Sequence, residues 1–171
     1  MIKTATISKC GLYRYDLTRR WAVGERLCAF IGLNPSTADA DLDDPTIRRC
    51  VGFAQSWGYD ALVMLNAYAF RATKPTDMLA AADPVGPAND AYLKHWCSQA
   101  HLKVAAWGAN ISLHRQKQMI QLILDLAALR ITKEGFPGHP LYLPKVSVPV
   151  PWGTSQTKTP PKPAAPPAER G

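Results

Sequence analysis

Apolar residues along this chain gather into runs of strand length, and between the runs they recur at helical spacing. Leu27-Cys28-Ala29-Phe30-Ile31 is an unbroken run that stops at Gly32-Leu33-Asn34-Pro35-Ser36, the pattern of a buried strand with an asparagine at its carboxyl end. Ala61-Leu62-Val63-Met64-Leu65 is a second such run, and it ends in Asn66. A third runs from Leu102 to Trp107 and is closed by Gly108. A short fourth strand is expected from Leu129 to Thr132, leading through Gly135-Phe136-Pro137-Gly138 to His139-Pro140. Asp44 as N-cap, Pro45 at the first helical position and Gly58 past the end punctuate a helix. That helix places Ile47, Cys50, Val51, Ala54 and Trp57 on one face. A second helix is expected from Pro87 to about Ala100, burying Ala91, Trp96 and Cys97. A longer one from about Ser112 to Ala127 buries Met119, Ile120, Ile123 and Ala127. Near the start, Gly11 to Leu17 alternates as a half-exposed strand and takes Thr4 to Ser8 as its hairpin partner at one edge. Alternating strands and helices predict an α/β fold: a three-layer α/β/α sandwich with a central, mainly parallel four-stranded sheet plus an N-terminal β-hairpin.

Length and composition bound this picture. At 171 residues and 47% hydrophobic content, the chain is enough for one domain with a real core, expected over residues 1–152. From Pro151 onward the sequence is rich in proline and poor in large apolar groups, so residues 153–171 are expected to be a disordered basic tail. No apolar run approaches the roughly 20 residues that span a bilayer, and Met1 to Thr6 lacks the apolar core of a signal peptide. A cytoplasmic monomer with no membrane partner is the expectation. Cys10, Cys28, Cys50 and Cys97 are scattered without a Cys-x-x-Cys pair, which argues against a zinc or iron-sulfur site and against a disulfide framework. Most of them read as core thiols. The net charge is +7, of which Lys158, Lys162 and Arg170 against Glu169 supply +2, leaving +5 for the rest. That excess fits either a solvated basic surface or a nucleic-acid face.

The chemistry lies where the strands end. In parallel α/β sheets the ligand crevice lies beyond the carboxyl ends of the strands, and right-handed crossovers bring those ends to one rim. Asn34, Asn66, Gly108 and His139 therefore converge. Plain readings stand beside this one: Asn34 and Asn66 as turn formers, Trp107 as core, His139 as a loop residue before a proline.

In their order and spacing these words resemble motifs of the uracil-DNA glycosylase superfamily, over Leu27 to Pro144. Gly32-Leu33-Asn34-Pro35-Ser36 resembles its Gly-x-Asn-Pro motif, and Val63-Met64-Leu65-Asn66-Ala67 with Arg71 is similar to the strand that reads a pyrimidine edge. Val104-Ala105-Ala106-Trp107-Gly108 and Gly138-His139-Pro140 resemble its Trp-Gly strand and its His-Pro motif. The words Leu-Asn-Pro-Ser-Thr-Ala-Asp, Asp-Asp-Pro-Thr-Ile-Arg-Arg and His-Pro-Leu-Tyr-Leu-Pro resemble more closely still a small bacterial and phage family, DUF1643, catalogued only as a domain of unknown function.

The glycosylase resemblance implies hydrolysis of the N-glycosidic bond of uracil or a modified base in DNA, single-stranded or modified, without cofactor or metal. It implies that Asn34 holds the attacking water and that His139 donates a hydrogen bond to the departing base. Asn66 would read the base, with Gly32 and Leu33 lining its site and Tyr68 or Phe70 stacking on it, whereas helical spacing assigns Phe53 to the core. Pro35, Ser36, Arg71, Gly108 and Pro140 would contact DNA phosphate. Three departures stand out. No carboxylate occupies the Asn34 position. Leu141 and Tyr142 follow the His-Pro pair where the glycosylases carry a phosphate-gripping serine and a wedge. An acidic run, Asp39, Asp41, Asp43 and Asp44, lies close behind the first motif, fit for capping or for a divalent metal. Two other functions share these residues: a catalytically silent base-binding module, and a metal-assisted enzyme acting on free nucleotides.

Overall fold

Seven strands form one sheet in a computed structural model that describes residues 1–153. In chain order they are β1 (Ile2–Ile7), β2 (Arg14–Arg20), β3 (Leu27–Gly32), β4 (Ala61–Asn66), β5 (Leu102–Ala105), β6 (Ala127–Ala128) and β7 (Val150–Pro151). Across the sheet the order is β1-β2-β4-β3-β5-β6-β7. Strands β4, β3, β5 and β6 are parallel, whereas β1, β2 and β7 join antiparallel at the two sides. The connections carry α1 (Pro45–Ser56), α2 (Pro75–Leu79), α3 (Asn89–Gln99) and α4 (Leu113–Leu122).

The four expected strands are thus the parallel middle of a larger sheet, and the expectation of a four-stranded sheet is corrected. The N-terminal hairpin does not stand apart, because β2 pairs with β4 and sets Leu17 opposite Met64. Strand β7 has no apolar run to announce it; its two residues are exposed. The fourth parallel strand is Ala127–Ala128 rather than Leu129 to Thr132. The last long helix ends at Leu122, short of Ala127, because Ile123 turns extended and Asp125 takes φ 57°. Residues 130–138 instead fold back on themselves, with Gly138 N–H donating to Arg130 O at 2.6 Å and Thr132 N–H to Phe136 O at 2.8 Å. Ala91 is exposed rather than buried, since Leu93 and Cys97 face the sheet from α3. On α1, Phe53 takes a core position, while Val51 and Trp57 are half-buried. The expected disorder of the tail, Gly153 apart, falls outside the described residues.

Strands β3 and β4 are buried throughout and feed two cores by alternation. Ala29, Ile31, Val63 and Leu65 pack with Leu93 and Cys97 of α3 and Met119 of α4. Cys28, Phe30, Leu62 and Met64 pack with Ile47, Cys50, Phe53 and Ala54 of α1. Cys28, Cys50 and Cys97 are buried free thiols, and burial pushes Cys97 up to about 12. No helix among the described residues is long and apolar enough to cross a membrane.

The loop from β3 to α1 is fastened to β2 by Arg19, whose residue is fully buried. Its Nη2 lies 2.7 Å from Asp43 Oδ1 and donates to Asp39 O at 2.8 Å, while Nη1 donates to Thr18 O at 2.8 Å. Burial pushes the Asp43 carboxyl up, but the Arg19 hydrogen bond and charge, with Lys3, outweigh it and hold the pKa below the ordinary 3.8. The pair therefore stabilises the fold fully above that value and loses its contribution as pH falls through the lower folded-state pKa. Asp43→Ala, which strands a buried guanidinium, is expected to cost near the low end of roughly 3–5 kcal/mol in urea unfolding. Asp43→Asn should flatten the acid limb of the stability curve, and an unchanged limb would count against the pair.

Candidate functional site

Beyond the carboxyl ends of β3, β4 and β5 lies a cavity of about 430 Å³, on the α1 side of the sheet. Gly32, Leu33, Asn34, Pro35 and Ser36 line it from the end of β3, Met64 and Asn66 from β4, and Trp107 and Gly108 from the end of β5. His139 closes the set. The four strand-end residues named from sequence do converge.

The cavity is held open by register. Gly32 pairs with Asn66, and a Cβ on Gly32 would lie 3.0 Å from Asn66 Oδ1 and 2.9 Å from Met64 Cε. The missing side chain is the space the carboxamide occupies. Asn66 is 2% exposed and its Nδ2 has no hydrogen-bond partner. Its backbone is gripped from behind: Asn89 Nδ2 donates to Asn66 O at 3.0 Å, and Arg115 Nε donates to Ala67 O at 2.9 Å. Asp90 in turn holds Arg115 at 2.7 Å. These positioning residues carry no signal in the sequence, because an asparagine and an arginine in amphipathic helices read as surface.

Asn34 is half engaged. Its Nδ2 donates to Ala72 O at 2.8 Å and to Pro35 O at 3.1 Å, clasping the segment that follows β4. These carbonyls fix the amide orientation and leave Oδ1 as the free acceptor. The Nδ2 bonds fit the turn reading of Asn34, and its Oδ1 is left facing no donor of its own.

His139 is delivered by the folded-back segment 130–138 and by Gly108, whose φ of 68° favours glycine and whose N–H donates to Pro137 O at 2.8 Å. It caps a 3-10 turn, Pro140–Tyr142, with Leu141 N–H donating to Nδ1 at 3.2 Å. An accepting Nδ1 puts the proton of the neutral ring on Nε2. Partial desolvation lowers the His139 pKa below the ordinary 6.5, and Asp44 pulls it back upward.

The remaining residues named from sequence lie elsewhere. Tyr68 is buried among the α4-side core, its OH bonded to Ser112. Phe70 meets Tyr13 edge to face, Arg71 donates to Gly11 O at 3.2 Å, and Pro140 is buried in its turn. None of the four lines the cavity. The Gly108 amide expected for phosphate is already spent on Pro137. In the acidic run, Asp39 closes a turn onto Asp41 and Leu42, Asp43 pairs with Arg19, and Asp44 caps α1 through Ile47 at 2.8 Å. That is capping and ion pairing; among the described residues no His, Cys, Asp or Glu cluster is fit to hold a metal. Sequence reasoning passed over Arg14 and Asn110, and it read Asp44 as a cap or as part of an acidic run, yet all three line the cavity.

A family model described as "Protein of unknown function (DUF1643)" matches residues 14–141, a span that contains every cavity-lining residue from Arg14 to His139. No curated protein and no solved structure matches the chain.

Nitrogen-detected NMR checks the histidine. His139 is expected to titrate below 6.5 with the neutral proton on Nε2, and Asp44→Asn, which keeps a capping oxygen, should lower the midpoint further by removing a charge that favours imidazolium. A midpoint above 6.5, or a proton on Nδ1, would contradict the geometry.

Proposed function

The chain belongs to the family described as protein of unknown function DUF1643, and we propose that it is a uracil-DNA-glycosylase-like α/β/α protein whose strand-end cavity takes a nucleobase. The observation that carries this reading is the buried Asn66 carboxamide, which lines the cavity with its Nδ2 unpartnered. An unsatisfied buried amide costs about 1–3 kcal/mol, which a ligand carbonyl returns on binding. Nδ2 as donor beside Oδ1 as acceptor complements the adjacent carbonyl and N–H of a uracil-type edge. Met64 and Ile47 supply apolar lining for the ring.

The reaction these groups suit is hydrolysis of an N-glycosidic bond in DNA. Water attacks C1′ of the sugar, the C1′–N bond breaks, and the base leaves with the electron pair and then takes a proton. A neutral His139 donates from Nε2 to the base oxygen as negative charge grows there, without presenting a proton to be lost at neutral pH. The free Oδ1 of Asn34 accepts from the water. Asp44 adds a carboxylate to the same cavity, which the Asn34 position itself does not supply. A catalytically silent base-binding module is the second reading, favoured by the engagement of Asn34 Nδ2 with backbone.

Release of free uracil from a uracil-containing single-stranded oligonucleotide tests the hydrolytic form. Asn66→Ala and His139→Ala are each expected to lower the rate by roughly 100-fold or more. Gly32→Ala, which crowds Asn66, should do so with little loss of stability. Binding without release would establish the silent module, and neither binding nor release across modified bases would overturn the pocket.

A further inference from the structure

Arg14 is 2% exposed, and no carboxylate lies within ion-pair distance of it among the described residues. One hydrogen bond occupies the guanidinium, from Nη1 to Ala38 O at 2.7 Å, and Nε is buried without a partner. Arg19, farther along the same strand, bonds a carboxylate and three carbonyls. A structural arginine is satisfied as Arg19 is. Arg14 is left with donors to spare, and it lines the cavity.

Its direction has a backbone cause. Thr6 pairs with Asp16 but Ile7 pairs with Arg14, so β2 carries one extra residue, Tyr15, in a β-bulge. Tyr15 and Asp16 both turn toward α3, Tyr15 stacking on Tyr92 with ring centroids 4.9 Å apart and Asp16 accepting from Trp96 Nε1 at 2.8 Å. The bulge thereby turns Arg14 the other way, toward Ala38 and the cavity. Ser36 and Thr73 bring hydroxyls to the same lining.

The charges around Arg14 favour an anion beside it. Asp44 attracts it from beyond contact, but that carboxylate is bonded to Ile47 N–H at the positive end of α1. Asp16 is engaged by Trp96 and by Thr6 N–H, and Arg19 and Arg71 repel rather than neutralise. Burial, with the Arg71 and Arg19 charges, pulls the Arg14 pKa down to about 10 against the opposing pull of Asp44 and Asp16, so it remains charged at neutral pH.

We propose that Arg14, turned inward by the β2 bulge, forms with Ser36 and Thr73 an anion subsite for a phosphoryl group inside the cavity. This deepens the nucleobase reading and rests on it only for the identity of the whole ligand: base at Asn66, phosphate at Arg14. A volume of about 430 Å³ exceeds what one pyrimidine ring fills and falls within the roughly 300–1,000 Å³ of small-ligand pockets. The phosphoryl group comes from a free nucleotide or from the DNA backbone, and both carry the same chemistry.

The test titrates inorganic phosphate into the full chain, following heat and the Arg14 Nε resonance. Saturable binding that shifts that resonance is expected, weakened about tenfold or more in Arg14→Gln and less in Ser36→Ala. Because Arg14→Gln has a fold to lose, the wild-type resonance is the deciding signal. No binding to the wild type, or binding that leaves the Arg14 signal still, overturns the subsite. A deoxynucleoside monophosphate and an abasic single-stranded oligonucleotide, each competed against phosphate, separate the two sources, and displacement by neither overturns the subsite as part of a nucleotide site. Phosphate binding with no discrimination among bases, in wild type as in Asn66→Ala, would remove the base reading and leave the subsite standing.

Discussion

The register between β3 and β4 is the constraint on which the rest depends. Six consecutive pairs, from Leu27 with Ala61 to Gly32 with Asn66, fix which residues face α1 and which face α3 and α4. A shift by one residue would exchange the two faces, sending Phe30 and Met64 into the wrong core and setting the Asn66 carboxamide against the apolar α3 side. The pairing does not stop with the strands. Ala67 N–H donates to Gly32 O, Tyr68 to Leu33 O and Ala72 to Pro35 O, so the segments leaving both strands travel together past the sheet. Asn34 clasps Ala72 O at the far end of this extension. The same ladder that specifies the core therefore holds the cavity open, with Gly32 supplying the one gap in it.

Two arginines on β2 divide the electrostatic work. Arg19 binds the loop after β3 to the sheet and is spent in doing so. Arg14 touches the same loop once, through Ala38 O, and keeps most of its donors. The acidic run is placed by its partners: Asp43 by Arg19 and Lys3, Asp44 by the start of α1. Asp44 thus sits in the same cavity lining as Arg14 without an ion pair between them. The charge of these carboxylates is in large part taken up by a guanidinium, an ammonium and a helix terminus.

Legibility in the sequence followed the strength of the local signal. The runs at Leu27 and Ala61 and the Asp44-Pro45 helix start were readable because buried parallel strands are continuously apolar and helix caps are chemically specific. Convergence of Asn34, Asn66 and Gly108 followed from the handedness of crossovers, a rule that needs no side-chain detail, whereas His139 reaches the same rim through the folded-back segment 130–138. What escaped was set by tertiary pairing. Strand β6 is two alanines that pair only because β5 offers Val104 and Ala105. Strand β7 is two exposed residues beside a proline-rich stretch. Asn89, Arg115 and Arg14 are polar residues buried by geometry, and a bulge in β2 leaves no mark in composition. Tyr68 and Phe70 were drawn toward the site by their aromatic character, but packing against Ser112 and Tyr13 claims them first.

The lining of the cavity carries one guanidinium, Arg14, and one carboxylate, Asp44, and their different engagement bears on its chemistry. Breaking a glycosidic bond puts negative charge on the base and positive charge on the sugar, and stabilisation at either end lowers the barrier. In the proposed reading the donors beside the base would be Asn66 Nδ2 and His139 Nε2, with the Arg14 guanidinium set aside for a phosphoryl group. The acceptors left for the sugar would be the Asn34 amide oxygen and Asp44, whose Oδ1 is already bonded to the helix. An anionic leaving group, or a ligand that arrives anionic, is therefore matched better than a cationic sugar. Under the proposed hydrolytic reading, a site so arranged would gain more from stabilising the departing base than from activating water, with selectivity resting on Asn66 and rate on His139.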